Sequence, residues 1–185
     1  MKTAILERFI LDGAFLFALL SVAAVFSITG CASSGSGIEV QQSPVMGLNR
    51  YKIVAVDVST QDPDFESTKI EQLTGSILTR LRNSGKFYKV YATSFTIQHD
   101  ADLRLSVVVQ FVVNGERHSA IYVNKPSSVD ASVALIEASN GKALASAIVH
   151  SHTGSALVPG ISQAPTMSDA IEKLSDQIVT FVIKP

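Results

Sequence analysis

Between Asp102 and Val113 the chain alternates with a period of two. Leu103, Leu105, Val107, Val109, Phe111 and Val113 fall on one side, and Arg104, Ser106 and Gln110 on the other. A helix cannot keep such a set on one face, whereas a strand does so automatically because successive side chains point to opposite faces. The chain is therefore committed to a sheet with at least one buried face, and the remaining pattern must supply that sheet with neighbours and a cover. Tyr51 to Val58 (YKIVAVDV) is a β-rich run apolar on both faces, as in a strand covered from two sides. Phe87 to Tyr91 reads as a second strand. Asn114-Gly115 signals a hairpin after the long strand, with Arg117 to Val123 returning, and Val129 to Glu137 with Lys142 to His152 form another hairpin about Asn140-Gly141.

Two segments carry the helical period instead. After the Asp62-Pro63-Asp64 break, Ser67 or Thr68 is placed to cap a helix whose stripe is Ile70, Leu73, Ile77, Leu78 and Leu81, with Gly85 ending it. Near the C-terminus, Thr166 or Ser168 is placed to cap a helix burying Met167, Ala170, Ile171, Leu174, Ile178 and Phe181. The order β-α-β-β-β-β-β-α predicts one α+β domain over residues 50–185: a mostly antiparallel mixed sheet of five to six strands with both helices on one face.

The first thirty residues do not belong to that domain. From Gly13 to Thr29 the chain (GAFLFALLSVAAVFSIT) carries no charge, and Lys2 and Arg8 precede it together with Glu7 and Asp12. Its length suits the core of an export signal and lies at the lower edge of a membrane span, so a cleaved signal and an uncleaved anchor are both open on hydropathy alone. The residues Ile28-Thr29-Gly30-Cys31 resemble the lipobox of bacterial lipoproteins. That resemblance implies a signal peptide over 1–30, a diacylglycerol thioether on Cys31, cleavage before it and acylation of the new amine. Three acyl chains hold a protein stably to a bilayer, where one is marginal. Cys31 is the chain's single cysteine, so no internal disulfide competes for it. Ala32 in place of Asp implies, by the lipoprotein sorting rule, the outer membrane. The residues that follow (ASSGSGIEVQQSPVMGLN) read as a flexible tether over 31–49, with ends roughly 20 to 25 Å apart.

The segment Ala101-Asp102-Leu103-Arg104-Leu105, the run Val133 to Ala145 (VALIEASNGKALA) and the order of elements resemble a set of envelope lipoproteins. That set includes uncharacterised lipoprotein families and shares a fold with the TolB N-terminal domain, CsgG and the penicillin-binding-protein activator LpoB. The resemblance implies a fold and an envelope setting rather than an activity.

Chemistry is sparse by comparison. The formal net charge of −1 gives no long-range field toward nucleic acid or an anionic surface. There is no G-x-S-x-G elbow; Gly154-Ser155-Ala156 sits in a loop, and no phosphate-cradling glycine motif occurs. His150 and His152, two apart on a strand, point the same way and form the sharpest polar pair; a metal site there requires a third donor, for which His99, His118 and the carboxylates are the candidates. Asp62, Asp64 and Glu66 suit a helix N-terminus, where the macrodipole favours acids, better than a cation loop. Arg104, Gln110 and Arg117 read as solvated sheet surface. The expectation is a non-enzymatic, lipid-anchored accessory, assembly or interaction module of the cell envelope, with no cofactor and no nucleic acid. Its partners are the membrane, through Cys31, and an envelope protein docking on the loop from Thr153 to Pro165 or on an open sheet edge. The alternative is a small-ligand or metal-binding lipoprotein using His150 and His152.

Overall fold

The structure is a computed structural model that describes residues 36–43, 48–93, 100–114, 126–153 and 166–184. Along the chain come β1 (Gly37–Gln42), a 3-10 turn (Leu48–Arg50), β2 (Ile53–Thr60), α1 (Ser67–Asn83), β3 (Lys89–Ala92), β4 (Leu103–Val113), β5 (Ser128–Glu137), β6 (Ala143–His152) and α2 (Met167–Ile183). The strands form one sheet in the order β1-β6-β5-β4-β2-β3; β2 runs parallel to both β3 and β4, and the remaining pairs are antiparallel. The expected α+β class, a mixed six-stranded sheet with two helices, is what the described residues form.

Register explains the core. Val56 aligns with Leu105, Leu105 with Leu135, and Leu135 with Ala145, while one row along Val58, Val107, Val133 and Ala147 align in the same way. These rows lie on the face the helices cover. α1 supplies Leu73, Ile77 and Leu81, and α2 supplies Ala170, Ile171, Leu174, Ile178, Phe181 and Val182. Burying a side chain such as Leu105 or Ile171, both fully enclosed, contributes roughly 1.5 to 3 kcal/mol. The helices also grip each other through a polar ladder. Gln72 Nε2 donates to Ser168 Oγ (2.5 Å), Ser76 Oγ to Glu172 Oε1 (2.7 Å), and Arg80 reaches Glu172, Ser175 and Asp176. Each step advances four residues on both helices, so α1 and α2 run parallel and start at the same end of the sheet.

Several sequence expectations are corrected. Gly37–Gln42, expected within the flexible tether, is an edge strand paired with β6, and the fold begins earlier than residue 50. Its two apolar residues, Ile38 and Val40, are too few to declare a period, and Val40 is still half exposed on the edge. Ser36 belongs to this join: its hydroxyl accepts from His152 N (2.9 Å) and donates to His152 O (3.2 Å). β3 starts at Lys89 rather than Phe87. The residue before α1 is Glu66, with no side-chain cap, so neither Ser67 nor Thr68 caps it. Gly85 does sit past the helix end with φ +64°, and Thr166 does cap α2 through a reciprocal box with Asp169.

The long strand also departs from strict alternation. Register shifts between Val109 and Phe111, so Phe111 is 55% exposed and Val112 is buried. The loop after β2 accounts for the bulge: Gln61 N donates to Val109 O (2.8 Å), and Asp62 Oδ2 accepts from Val112 N (2.8 Å), which draws the β4 backbone out of step. The expected return strand from Arg117 to Val123 lies outside the described residues. Among the described residues no helix is long and apolar enough to cross a membrane.

Candidate functional site

The motif residues singled out by the sequence turn out to hold the scaffold together. Asp102, in the Ala101–Leu105 segment, receives the backbone N–H of Lys52 (2.8 Å) and of Ile53 (2.9 Å) on Oδ2, closing the start of β2 against the start of β4. Asp62 Oδ1 accepts from Asp64 N (2.9 Å) while its other oxygen holds Val112, so the acidic group before α1 is built into a turn. Asn140-Gly141 closes the β5–β6 hairpin: Gly141 has φ +71°, Asn140 Oδ1 accepts from Lys142 N (2.9 Å), and Asn140 Nδ2 donates to Glu137 Oε2 (2.8 Å).

Beside that hairpin lies a group that sequence spacing did not reveal. Tyr51 OH donates to Glu137 Oε1 (2.8 Å), Arg50 donates to the Tyr51 hydroxyl and pairs with Glu137 Oε1 at 3.3 Å, and the Arg50 guanidinium lies 4.7 Å from the Tyr51 ring centroid. The Tyr51 hydrogen bond, then that from Asn140, holds the Glu137 carboxyl below the usual range, and the same phenol raises Arg50. The cluster lines an open depression of about 590 Å³ with Ala101, Asp102 and Ser139. Eighty-six residues separate Tyr51 from Glu137, so only the β2–β4–β5 register joins them.

His150 and His152 share the helix-free face of β6, as their spacing predicts. Asp130 aligns with His150 across the strands and places Oδ1 3.1 Å from its Nδ1, an ion pair when the imidazole is protonated. His152 is held through its backbone, whose carbonyl also accepts from Lys173 Nζ at 3.1 Å. Among the described residues no group of three His, Cys, Asp or Glu side chains could hold a metal ion, and His99 and His118 lie outside them, as does most of the loop after Thr153. Arg104 stands half-buried on the helix-free face, Gln110 is exposed at the bulge, and Arg117 lies outside the described residues.

Charge divides along the strand direction. At the end where both helices begin stand Asp62, Asp64, Glu66, Glu71 and Asp169, with Lys69 and Lys173 among them. At the other end Arg50, Lys52, Lys86, Lys89, Lys142 and Lys184 are all exposed, against Asp100, Asp102 and Glu137. Parallel helices explain why the division is tolerated: acids meet the positive ends of both macrodipoles, and cations the negative ends. A net charge near zero hides this separation.

A scan against protein-family models and a search of curated proteins each found no match for this chain. Among solved structures, the PelC dodecamer from Paraburkholderia phytofirmans aligns with a TM-score of 0.54 at 16% identity, covering 78% of this chain and 97% of that one. A second PelC dodecamer structure gives 0.52 at 16% identity, over 80% and 98%. Protein XCC0632 from Xanthomonas campestris, described by the DUF330 family model, gives 0.51 at 13% identity, over 77% and 85%. The likeness is one of fold.

Proposed function

We propose that the chain is exported, lipidated on Cys31 and held at a bacterial membrane, where its folded domain serves as a non-enzymatic accessory or assembly module of the envelope. The observation that carries this reading is how little chain separates the lipobox cysteine from the fold. Ser36 is stitched to His152, and it follows Cys31 by only five residues. At up to 3.6 Å per residue that segment spans about 18 Å at most. A lipid on Cys31 therefore leaves Ser36, and the sheet it is bonded to, on a short leash of about 18 Å. A domain so held meets what comes to it and does not reach across a wide gap. The solved structures that share this fold are compatible with such a module, and the resemblance to envelope lipoproteins noted in the sequence supports the setting; outer-membrane placement rests on Ala32 alone.

The test is crosslinking and capture from intact cells, with the native chain beside Cys31→Ala. One envelope component captured only by the native form supports the reading. Equal capture by a Cys31→Ala form that stays membrane-bound removes it.

A further inference from the structure

The basic end is organised around one aromatic side chain. Lys52 O accepts from Tyr88 N (2.8 Å) and Lys89 N (3.2 Å), which brings the backbones of Lys52, Tyr88 and Lys89 together at the outer corner of the sheet, with Lys86 two residues before Tyr88. Tyr88 is 88% exposed, more than either of the other large apolar or aromatic side chains standing out among the described residues, Val40 and Phe111. None of the three lysines has a carboxylate partner among the described residues; Lys89 Nζ instead lies 5.3 Å from the Tyr91 ring centroid. Burial first, then the charges of Asp100 and Asp102, raise the Tyr91 phenol, so both carboxylates stand nearby, yet Asp102 is turned onto the backbone of Lys52 and Ile53. Arg82, bonded twice to Val90 O (3.1 and 2.9 Å), adds a fixed positive charge behind the corner.

We propose that this corner, where Tyr88, Lys52, Lys86 and Lys89 all stand exposed, is a docking surface for an anionic glycan. The chemistry favours that occupant over an acidic protein face. Lysines are flexible point charges that ask for no fixed geometry, and they are depleted from protein interfaces, whereas they suit the diffuse charge of a polymer whose counter-ions are released on binding. An aromatic ring left almost wholly in solvent offers a flat, electron-rich face on which the C–H bonds of a sugar ring can rest. The choice of a glycan over a nucleic acid rests on the export proposed above.

The experiment titrates the full chain, purified in detergent, with polygalacturonate at about 20 mM and about 200 mM salt, and with dextran, single-stranded DNA and an acidic protein as comparisons. Polygalacturonate should bind, dextran should not, and the higher salt should weaken binding. Replacing the three lysines together (Lys52→Ala, Lys86→Ala, Lys89→Ala) should cost about tenfold to a hundredfold and flatten the salt dependence. Tyr88→Ala should cost several-fold, while Lys69→Ala with Lys173→Ala, at the opposite end, should leave binding unchanged. Lys52, Lys86, Tyr88, Lys89 and Lys173 are exposed and Lys69 is half-buried; unchanged circular dichroism and Tm verify the fold. No binding at low salt, an unaffected triple variant, equal binding of dextran, or tighter binding of DNA or the acidic protein would overturn the proposal. The intact mass of the same preparation reports the Cys31 lipid, so failure of glycan binding and failure of the export reading are seen separately.

Discussion

Replacing Asp102 tests whether the start of the sheet is held as described. One carboxylate oxygen accepts two backbone N–H groups, from Lys52 and Ile53, so Asp102→Ala leaves two donors without their partner where β2 meets β4. Hydrogen bonds to a charged group are each worth about 1.5 to 3 kcal/mol. Lys52 is exposed and Ile53 only half-buried, so water replaces part of what is lost, and the expected net cost is about 2 kcal/mol. For a domain of this size that corresponds to a fall in Tm of roughly 4 to 8 °C. Asp102→Asn keeps an acceptor oxygen without the charge and should lose about half as much. Urea unfolding followed by circular dichroism measures both, with an unchanged m-value showing that the same surface is exposed on unfolding. An Asp102→Ala form within about 0.5 kcal/mol of the native chain, or an Asn form as damaged as the Ala form, would refute the reasoning.

Three further perturbations probe other parts of the account. Thr166→Ala removes the α2 cap and should cost about 1 kcal/mol near neutral pH by urea unfolding. Asp169 is held below the usual carboxylate range first by the Thr166 backbone N–H and then by its hydroxyl. Its contribution is therefore present above the unfolded value near 3.9 and lost as pH falls through the lower folded value, so the gap between native and Thr166→Ala chains should narrow below about pH 4 to what the Thr166 hydroxyl contributes by accepting from Asp169 N. The bulge predicts that Phe111→Ser changes stability by less than about 0.5 kcal/mol whereas Val112→Ala costs clearly more; the opposite order would restore strict alternation along β4. Gly141→Ala meets no atom within 4 Å, so its cost should be the backbone one alone, about 1 kcal/mol, by thermal unfolding.

Much of the fold was legible because its longest elements obey simple periods. The alternation from Leu103 to Val109, the Asn140-Gly141 hairpin and the stripes of both helices each survive in the structure, since burial of one face leaves a trace in every second or every third to fourth residue. Where the chain is steered by a neighbour distant in sequence, that trace fails. Phe111 follows the alternation on paper, but Asp62, fifty residues earlier, pulls Val112 inward. Gly37–Gln42 looks like tether because an edge strand of six residues with one half-exposed Val needs no clear pattern. The candidate sites show the same limit. His150 and His152 were placed on one face by local geometry, while Asp130 joins His150 through strand register. Tyr51 and Glu137 meet only when three strands align, and the separation of acids from lysines along the sheet is invisible in a net charge of −1. Asp102 stands in a motif legible in the sequence, yet its work is to receive two N–H groups.

The proposed function turns on a lipid at Cys31, which intact-mass spectrometry of the protein extracted from cell membranes reads at once. The expected chain begins at Cys31 and is heavier than its sequence by a diacylglycerol group and an amine-linked acyl chain, with Cys31→Ala released from the membrane fraction. A membrane-bound chain that keeps residues 1–30 and carries no lipid would contradict it, and would identify the uncharged run from Gly13 to Thr29 as the anchor instead.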